Sequence, residues 1–491
     1  QNAGADAYNV AIGYDSGLSI STGTLNTIVG GLAGDALTTG AQNTAIGHEA
    51  LSTEDTGARN TAIGEGSLKT LNFDGNGYNV AVGYNSGHLI STGVNNTIIG
   101  SLAGDALTTG SNNVAIGKGA LSTEDANGYN VAIGHQTLKV QNAGSDAYNV
   151  AVGYDAGVSV TTGVNNTLVG SFSGDALTTG VSNVALGYAA LSSAQTSNYN
   201  TAIGERALHS NVNSNRNTAV GFQALYSHTT GSATDSYNTA IGYVAGSSIT
   251  TGVNNTIIGG LAGDALVTGS YNVALGYGAL SAADGSESKN VAIGANSLAV
   301  LNNDGDAFNV AVGYSSGASM TTGTLNTIIG ALAGDAITSS IANVAIGYNA
   351  LSAEDTHGKN VAVGYQALKV QNAGADGYNT AVGFEAGKTI STAVRNTLIG
   401  GLAGDAITTG SDNVSLGYNS LSSSTIGNSN VAIGSFTMGT KVAADRNVAI
   451  GLGSLQNMTS ATTADTYNTA IGYAAGLAVT SGTKNVLVGG L

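Results

Sequence analysis

The sequence predicts an all-β protein: a parallel β-solenoid (a β-roll or β-helix) of 28 coils, each about seventeen residues long, joined in a homotrimeric or polymeric fibre. Three observations lead there. One five-residue motif recurs through all 491 residues. The chain holds 74 Gly but no Pro, Cys or Trp. No 3.6-residue hydrophobic period runs through the repeats, and a seventeen-residue copy is too short for a pair of helices.

The motif is Asn-(Thr/Val)-(Ala/Ile/Leu)-(Ile/Val/Leu)-Gly. It starts at Asn9, Asn26, Asn43, Asn60, Asn79 and Asn96 and continues to Asn485, usually at a spacing of seventeen positions. The alternating segment Val10-Ala11-Ile12 reads as a short strand, with Val10 and Ile12 on one face and Ala11 and Gly13 on the other. Turn residues such as Thr-Thr-Gly or Asp-Gly close each copy. One copy is therefore one lap of a solenoid, and successive laps stack at ~4.8 Å. The repeated Asn is expected to form a side-chain ladder and to tolerate a left-handed corner. The repeated Gly (Gly13, Gly30, Gly47, Gly64) supplies positive φ or close backbone approach. Proline would remove a ladder donor, which accounts for its absence.

A second order lies on the first. With the motif Asn as position 0, position +8 reads Gly17, Gly34, Leu51, Leu68, then Gly87, Gly104, Leu121, Leu138. Copies with Gly there carry an aliphatic residue at +11 (Ile20, Leu37, Ile90, Leu107), whereas Leu copies mostly carry a polar one, such as Glu54. One bulky group per lap, supplied from either of two positions, keeps core volume constant. Two four-copy blocks, as from Asn9 to Asn79 and from Asn79 to Asn149, and a third block with an extra Leu copy (Gly157, Gly174, Leu191, Leu208, Leu225) make a thirteen-coil unit; two such units, 1–229 and 230–459, are followed by 460–491 as the start of a third.

Composition excludes several classes. Without Cys there is neither a disulfide framework nor a thiolate metal site. A net charge of −16 opposes nucleic-acid binding. No apolar run reaches the ~18 residues of a membrane span.

Stretches such as Asn360-Val-Ala-Val-Gly-Tyr-Gln-Ala-Leu368 and Asn468-Thr-Ala-Ile-Gly-Tyr-Ala-Ala-Gly476 resemble the repeats of bacteriophage and large-virus tail-fibre proteins. More distantly, the Ala-Ile-Gly core is similar to the head repeat of trimeric autotransporter adhesins, a parallel β-roll that trimerises. The resemblance implies a fibre, often a homotrimer, outside the cell or on a virion surface.

No constellation suggests catalysis, a cofactor or a metal, because no repeat carries a long excursion. The six His, among them His228 and His357, share no repeat position and read as scattered surface residues. The acidic pairs Glu54-Asp55, Glu124-Asp125 and Glu354-Asp355 read as solvated turn charges. The aspartates of Gly-Asp-Ala (Asp35, Asp105, Asp175, Asp264, Asp335, Asp405) stand too many laps apart to share an ion. Of 21 Tyr, eleven follow the motif Gly and nine precede the Asn. Stacking along the outside is the expectation; a surface-glycan platform at Tyr14, Tyr84 and Tyr154 is the alternative, which would make the protein an adhesin or a receptor-binding fibre. Ile28, Ile98, Leu168, Ile257, Ile328 and Leu398 replace Ala in the second copy of each block. If the flanking strand residues face inward, these face outward and mark lateral self-association. The first residues, Gln1-Asn2-Ala3-Gly4, match Gln141-Asn142-Ala143-Gly144, and the chain stops at Gly490-Leu491 in mid-copy, so a longer array or end-to-end polymerisation is expected.

Overall fold

A computed structural model of the chain describes residues 6–440, 443–459 and 465–490. Gln1–Gly4 and Leu491 lie outside the described residues. The fold is an all-β parallel solenoid, with no helix among the described residues, and divides into two compact units, Gln1–Val244 and Ala245–Leu491. Each unit contributes fourteen three-residue strands, from Val10–Ile12 to Thr239–Ile241 in the first and from Thr256–Ile258 to Val486–Val488 in the second. Consecutive strands of a unit pair in parallel and in register, so that Val10 faces Thr27, Ala11 faces Ile28 and Ile12 faces Val29. An additional two-stranded pairing, Ser214–Asn215 with Thr234–Asp235, stands beside the long lap that runs from Asn217 to Asn238.

The Asn column is a ladder of backbone and side chain together. Within each unit the Oδ1 of one Asn accepts from the backbone N–H of the Asn one lap on, at 2.8 Å from Asn9 to Asn26 and 2.9 Å from Asn26 to Asn43 and from Asn43 to Asn60. The same contact joins Asn60 to Asn79 at 3.2 Å and Asn79 to Asn96 at 3.0 Å. Each Nδ2 in turn commonly donates to a carbonyl near the end of its own lap, as Asn26 does to Gly40 at 2.9 Å. The second unit repeats this, with Asn272 N–H on Asn255 Oδ1 at 2.9 Å. Only a short amide offers a donor and an acceptor at one branch point, which is why neither Asp nor Ser replaces Asn here. The left-handed corner falls one residue earlier than expected. It is Tyr8, Leu25, Gln42 and Arg59, not the Asn, that adopt φ of 48–64°.

The motif Gly closes the strand at φ between 124° and 144°. A Cβ on Gly100 would lie 2.6 Å from the Gly117 carbonyl oxygen of the next lap. Both the conformation and the space therefore demand glycine.

The strand faces are the reverse of the expectation. The middle residue points inward: Ala45, Ala62, Ala81 and their equivalents are fully buried. So are Ile28, Ile98, Leu168, Ile257, Ile328 and Leu398, which cannot form a lateral contact. Their bulk has an internal cause. The first two laps of a block both carry Gly at +8, and the space above those glycines is filled by the second lap's strand residue. A Cβ on Gly17 or on Gly34 would lie 3.2 Å from the Ile28 Cδ1. Leu168 and Leu398 fill the same place against Gly157 and Gly174 and against Gly387 and Gly404. The +8/+11 exchange has the same origin, since a Cβ on Gly17 would also approach Ile20 Cδ1 to 2.8 Å. Leu at +8 and an aliphatic group at +11 compete for one volume.

Candidate interaction surfaces

With the middle strand residue inside, the flanking residues form the outer face of the sheet. Position +1 is Thr or Val and position +3 is Ile, Val or Leu in all 28 copies, without a charge or an amide. These side chains are half-buried to exposed; Ile99 is 37% and Leu186 46% accessible. The solvent-facing side of a sheet is usually polar, and here +3 is aliphatic in every copy while +1 is Thr or Val.

The aromatic rows occupy the turns. Tyr14, Tyr84 and Tyr154 are all exposed. Tyr154 is covered on one face by His135, stacked at 5.0 Å and 7°, and meets Phe172 edge-on at 5.4 Å. Tyr348, Tyr365 and Phe384 form a continuous stack with centroids 5.5 and 5.2 Å apart. Stacked rings spend their faces on one another and present edges to solvent, whereas a pyranose ring needs an open face. Tyr14 and Tyr84 have no ring partner among the described residues and keep open faces. The row preceding the Asn carries cations over aromatic rings, as in Lys289 over Phe308 at 5.0 Å and Lys359 over Tyr378 at 5.2 Å. Acids from the next lap pair with these cations: Lys289 Nζ lies 2.6 Å from Asp306 Oδ2, and Lys359 Nζ lies 2.6 Å from Asp376 Oδ2. Such exposed pairs are screened by solvent and add little to stability.

The acidic pairs are not both solvated. Asp55 and Asp355 stay at the surface, but Glu54, Glu124 and Glu354 are fully buried. The odd lap Asn272 buries Glu287 as well. His228, at +11, is likewise internal rather than a surface residue. The Gly-Asp-Ala aspartates are half-buried, and burial pushes Asp105, Asp175, Asp264, Asp335 and Asp405 above the usual carboxylate range. Each stands alone in its block.

Glu354, Asp355 and His357 bring one ligand atom each within 4.8 Å of the others. Several of these atoms are already engaged. Glu354 Oε1 accepts from the His357 N–H at 3.1 Å, Asp355 Oδ1 from the Thr356 N–H at 2.6 Å, and His357 Nδ1 lies 2.9 Å from Thr356 Oγ1. The equivalent laps carry Gly57 and Asn127 in place of the imidazole. The trio is a local variant of the turn and not a repeated metal centre.

Among the described residues no helix is long and apolar enough to cross a membrane. No known family model matches the chain, and no curated protein is detectably similar to it.

Proposed function

We propose that the chain is a non-enzymatic structural element of a fibre, extracellular or on a virion surface, whose laps associate side by side with further copies of the same chain. The observation that carries this reading is the outward aliphatic row at +3, flanked by Thr or Val at +1. The row is not required by the chain's own packing, because the core is completed by the middle strand residue and by positions +8 and +11. Exposed aliphatic rows of this length mark interfaces.

A second copy is the partner that fits. Fourteen three-residue strands spaced ~4.8 Å apart, each ~10 Å long, give each unit a flat face of about 600 Å². That approaches the roughly 800 Å² per partner of a standard stable interface. The rows also recur at the pitch of the laps. A copy of the same chain has that pitch, so every row can find an equivalent row. The resemblance to tail-fibre and autotransporter repeats supports the same assembly, and a trimer in particular.

Light scattering and sedimentation of the purified chain at micromolar concentration test the reading. An oligomer is expected, and one carrying Ile46→Lys, Ile99→Lys and Leu186→Lys should dissociate with its β-sheet circular dichroism retained. A wild-type monomer, or an oligomer indifferent to the three lysines, would overturn it.

A further inference from the structure

Inside each unit, position +11 forms a buried column that is largely aliphatic. In three blocks the third lap interrupts it with an acid. Glu54 follows Leu37 and precedes Leu71; Glu124 stands between Leu107 and Gln141; Glu354 stands between Ile337 and Gln371, and all nine of these side chains are fully buried. Each carboxylate turns back onto the N–H three positions later: Gly57 at 2.6 Å, Asn127 at 3.1 Å and His357 at 3.1 Å. The other oxygens are served unevenly. Phe73 N–H reaches Glu54 Oε2 at 3.2 Å, and the Asn360 amide reaches Glu354 Oε2 only at 3.4 Å. Glu124 Oε2 is buried without a hydrogen-bond partner. Among the described residues no lysine or arginine forms an ion pair with any of the three. The charged groups that face them are further acids: Asp55 beside Glu54, Asp125 beside Glu124, and Asp355 and Asp376 beside Glu354. His357 meets Glu354 through its backbone N–H, and its titratable imidazole also brings a ring nitrogen within 4.8 Å of a Glu354 carboxylate oxygen.

We propose that these third laps are proton-responsive segments, packed when the inward acid is neutral and loosened locally when it ionises, while neighbouring laps stay closed. The inference concerns the interior of single laps and does not depend on lateral association. Electrostatics agree with the geometry. Burial holds all three acids above the ordinary glutamate value of 4.5, and Glu354 is pushed up to about 7. An acid raised in the folded state binds its proton more tightly there than in the open lap. For Glu354 the stabilising effect is therefore complete below about pH 4.5 and lost as pH rises through about 7, and for Glu54 and Glu124 it is likewise lost as pH rises above the ordinary glutamate value.

Three third laps lack the acid at this position, which is taken by Ala194, Ala283 and Ser424; the Asn272 lap of Ala283 buries Glu287 instead, so the Ala194 and Ser424 laps serve as controls within the same molecule. Hydrogen–deuterium exchange of the intact chain, corrected for intrinsic rates, is read lap by lap at about pH 5 and about pH 8. The Glu54, Glu124 and Glu354 laps should lose protection at the higher pH, by up to the order of a hundredfold for Glu354. The Ala194 and Ser424 laps should not. Glu354→Gln keeps the shape of the neutral acid and should hold its lap closed at both values. Glu54→Gln and Glu124→Gln, each read at its own lap, give the same test if one variant fails to fold. Because the Gly-Asp-Ala aspartates lie in second laps, the lap-resolved readout separates them. Acid-bearing laps that track the two controls, or a glutamine variant that keeps the pH response, would overturn the proposal.

Discussion

Replacing one rung of the asparagine ladder measures how much the column contributes. Asn413 is a fully embedded rung. Its Nδ2 donates to Gly427 O at 2.8 Å and to Asn396 Oδ1 at 3.1 Å, and its Oδ1 accepts from Asn430 N–H at 3.0 Å and Asn430 Nδ2 at 3.1 Å. Asn413→Ala deprives two backbone groups of their side-chain partner, the Gly427 carbonyl and the Asn430 N–H. The Asn396 oxygen and the Asn430 amide keep other partners, since Asn413 N–H still reaches the former and Ala444 O still accepts from the latter. A buried polar group left unpaired costs about 1–3 kcal/mol, so the substitution costs roughly 4 kcal/mol.

A single unfolding midpoint is the wrong assay, because an array of laps opens locally and need not unfold as one cooperative transition. Amide exchange at Asn430 and in the lap around it is the proper readout. A loss of ~4 kcal/mol corresponds to about a thousandfold faster exchange where local opening governs. Asn413→Asp sharpens the test. It keeps the acceptor for Asn430 N–H but points an oxygen at Gly427 O, so its lap should be weakened at neutral pH and partly restored in acid. Exchange within threefold of wild type in the alanine variant would refute the ladder as a source of stability.

Two further substitutions probe the backbone and the core. Gly100→Ala should open its lap at a cost on the order of 3 kcal/mol, because it combines an unfavourable φ with a clash against the next lap's carbonyl; Gly31→Ala, whose Cβ would meet nothing closer than 3.6 Å, should be near neutral in the same exchange experiment. Leu168→Ala should cost about 3 kcal/mol by leaving a cavity over Gly157 and Gly174, and Leu168→Lys should disrupt the lap outright, whereas a lysine at the outward Ile116 should leave its lap closed; equal protection in the two lysine variants would contradict the assignment of strand faces.

The lap was legible because Asn9 and Gly13 keep a fixed separation and return usually every seventeen positions, a spacing only a small β-coil accommodates. The direction of the strand faces was not. Val10-Ala11-Ile12 is apolar on both sides, so period-two alternation separates the faces without telling which is inside. Alanine reads as the outward residue only if the interior is assumed wide. The interior is narrow, and most of its volume comes from +8 and +11. The signal that settles the matter was present in the sequence: Ile28, Ile98 and Leu168 occur only where two consecutive laps carry Gly at +8, so they answer an internal vacancy. The buried glutamates were hidden for a different reason. Glu54 and Asp55 are chemically alike, and only the path of the turn sends one inside and leaves the other in water. The left-handed corner at Leu25 and Arg59 had no signal at all, since neither side chain favours it.

The corrected faces strengthen the case for association. Inside the coil the sequence is permissive: the middle strand residue ranges over Ala, Ser, Ile and Leu, and the core is filled from +8 in some laps and from +11 in others. Those exchanges compensate one another, as close packing requires. Outside, the chain is stricter. Positions +1 and +3 never take a charge, although a lysine or glutamate there would meet only solvent in an isolated copy and would guard the sheet against unwanted contacts. Restriction to Thr or Val beside Ile, Val or Leu is the pattern of a surface that faces another apolar surface. The constraint is uniform along each unit, so the proposed contact would run the length of that unit's sheet, as copies lying side by side would require.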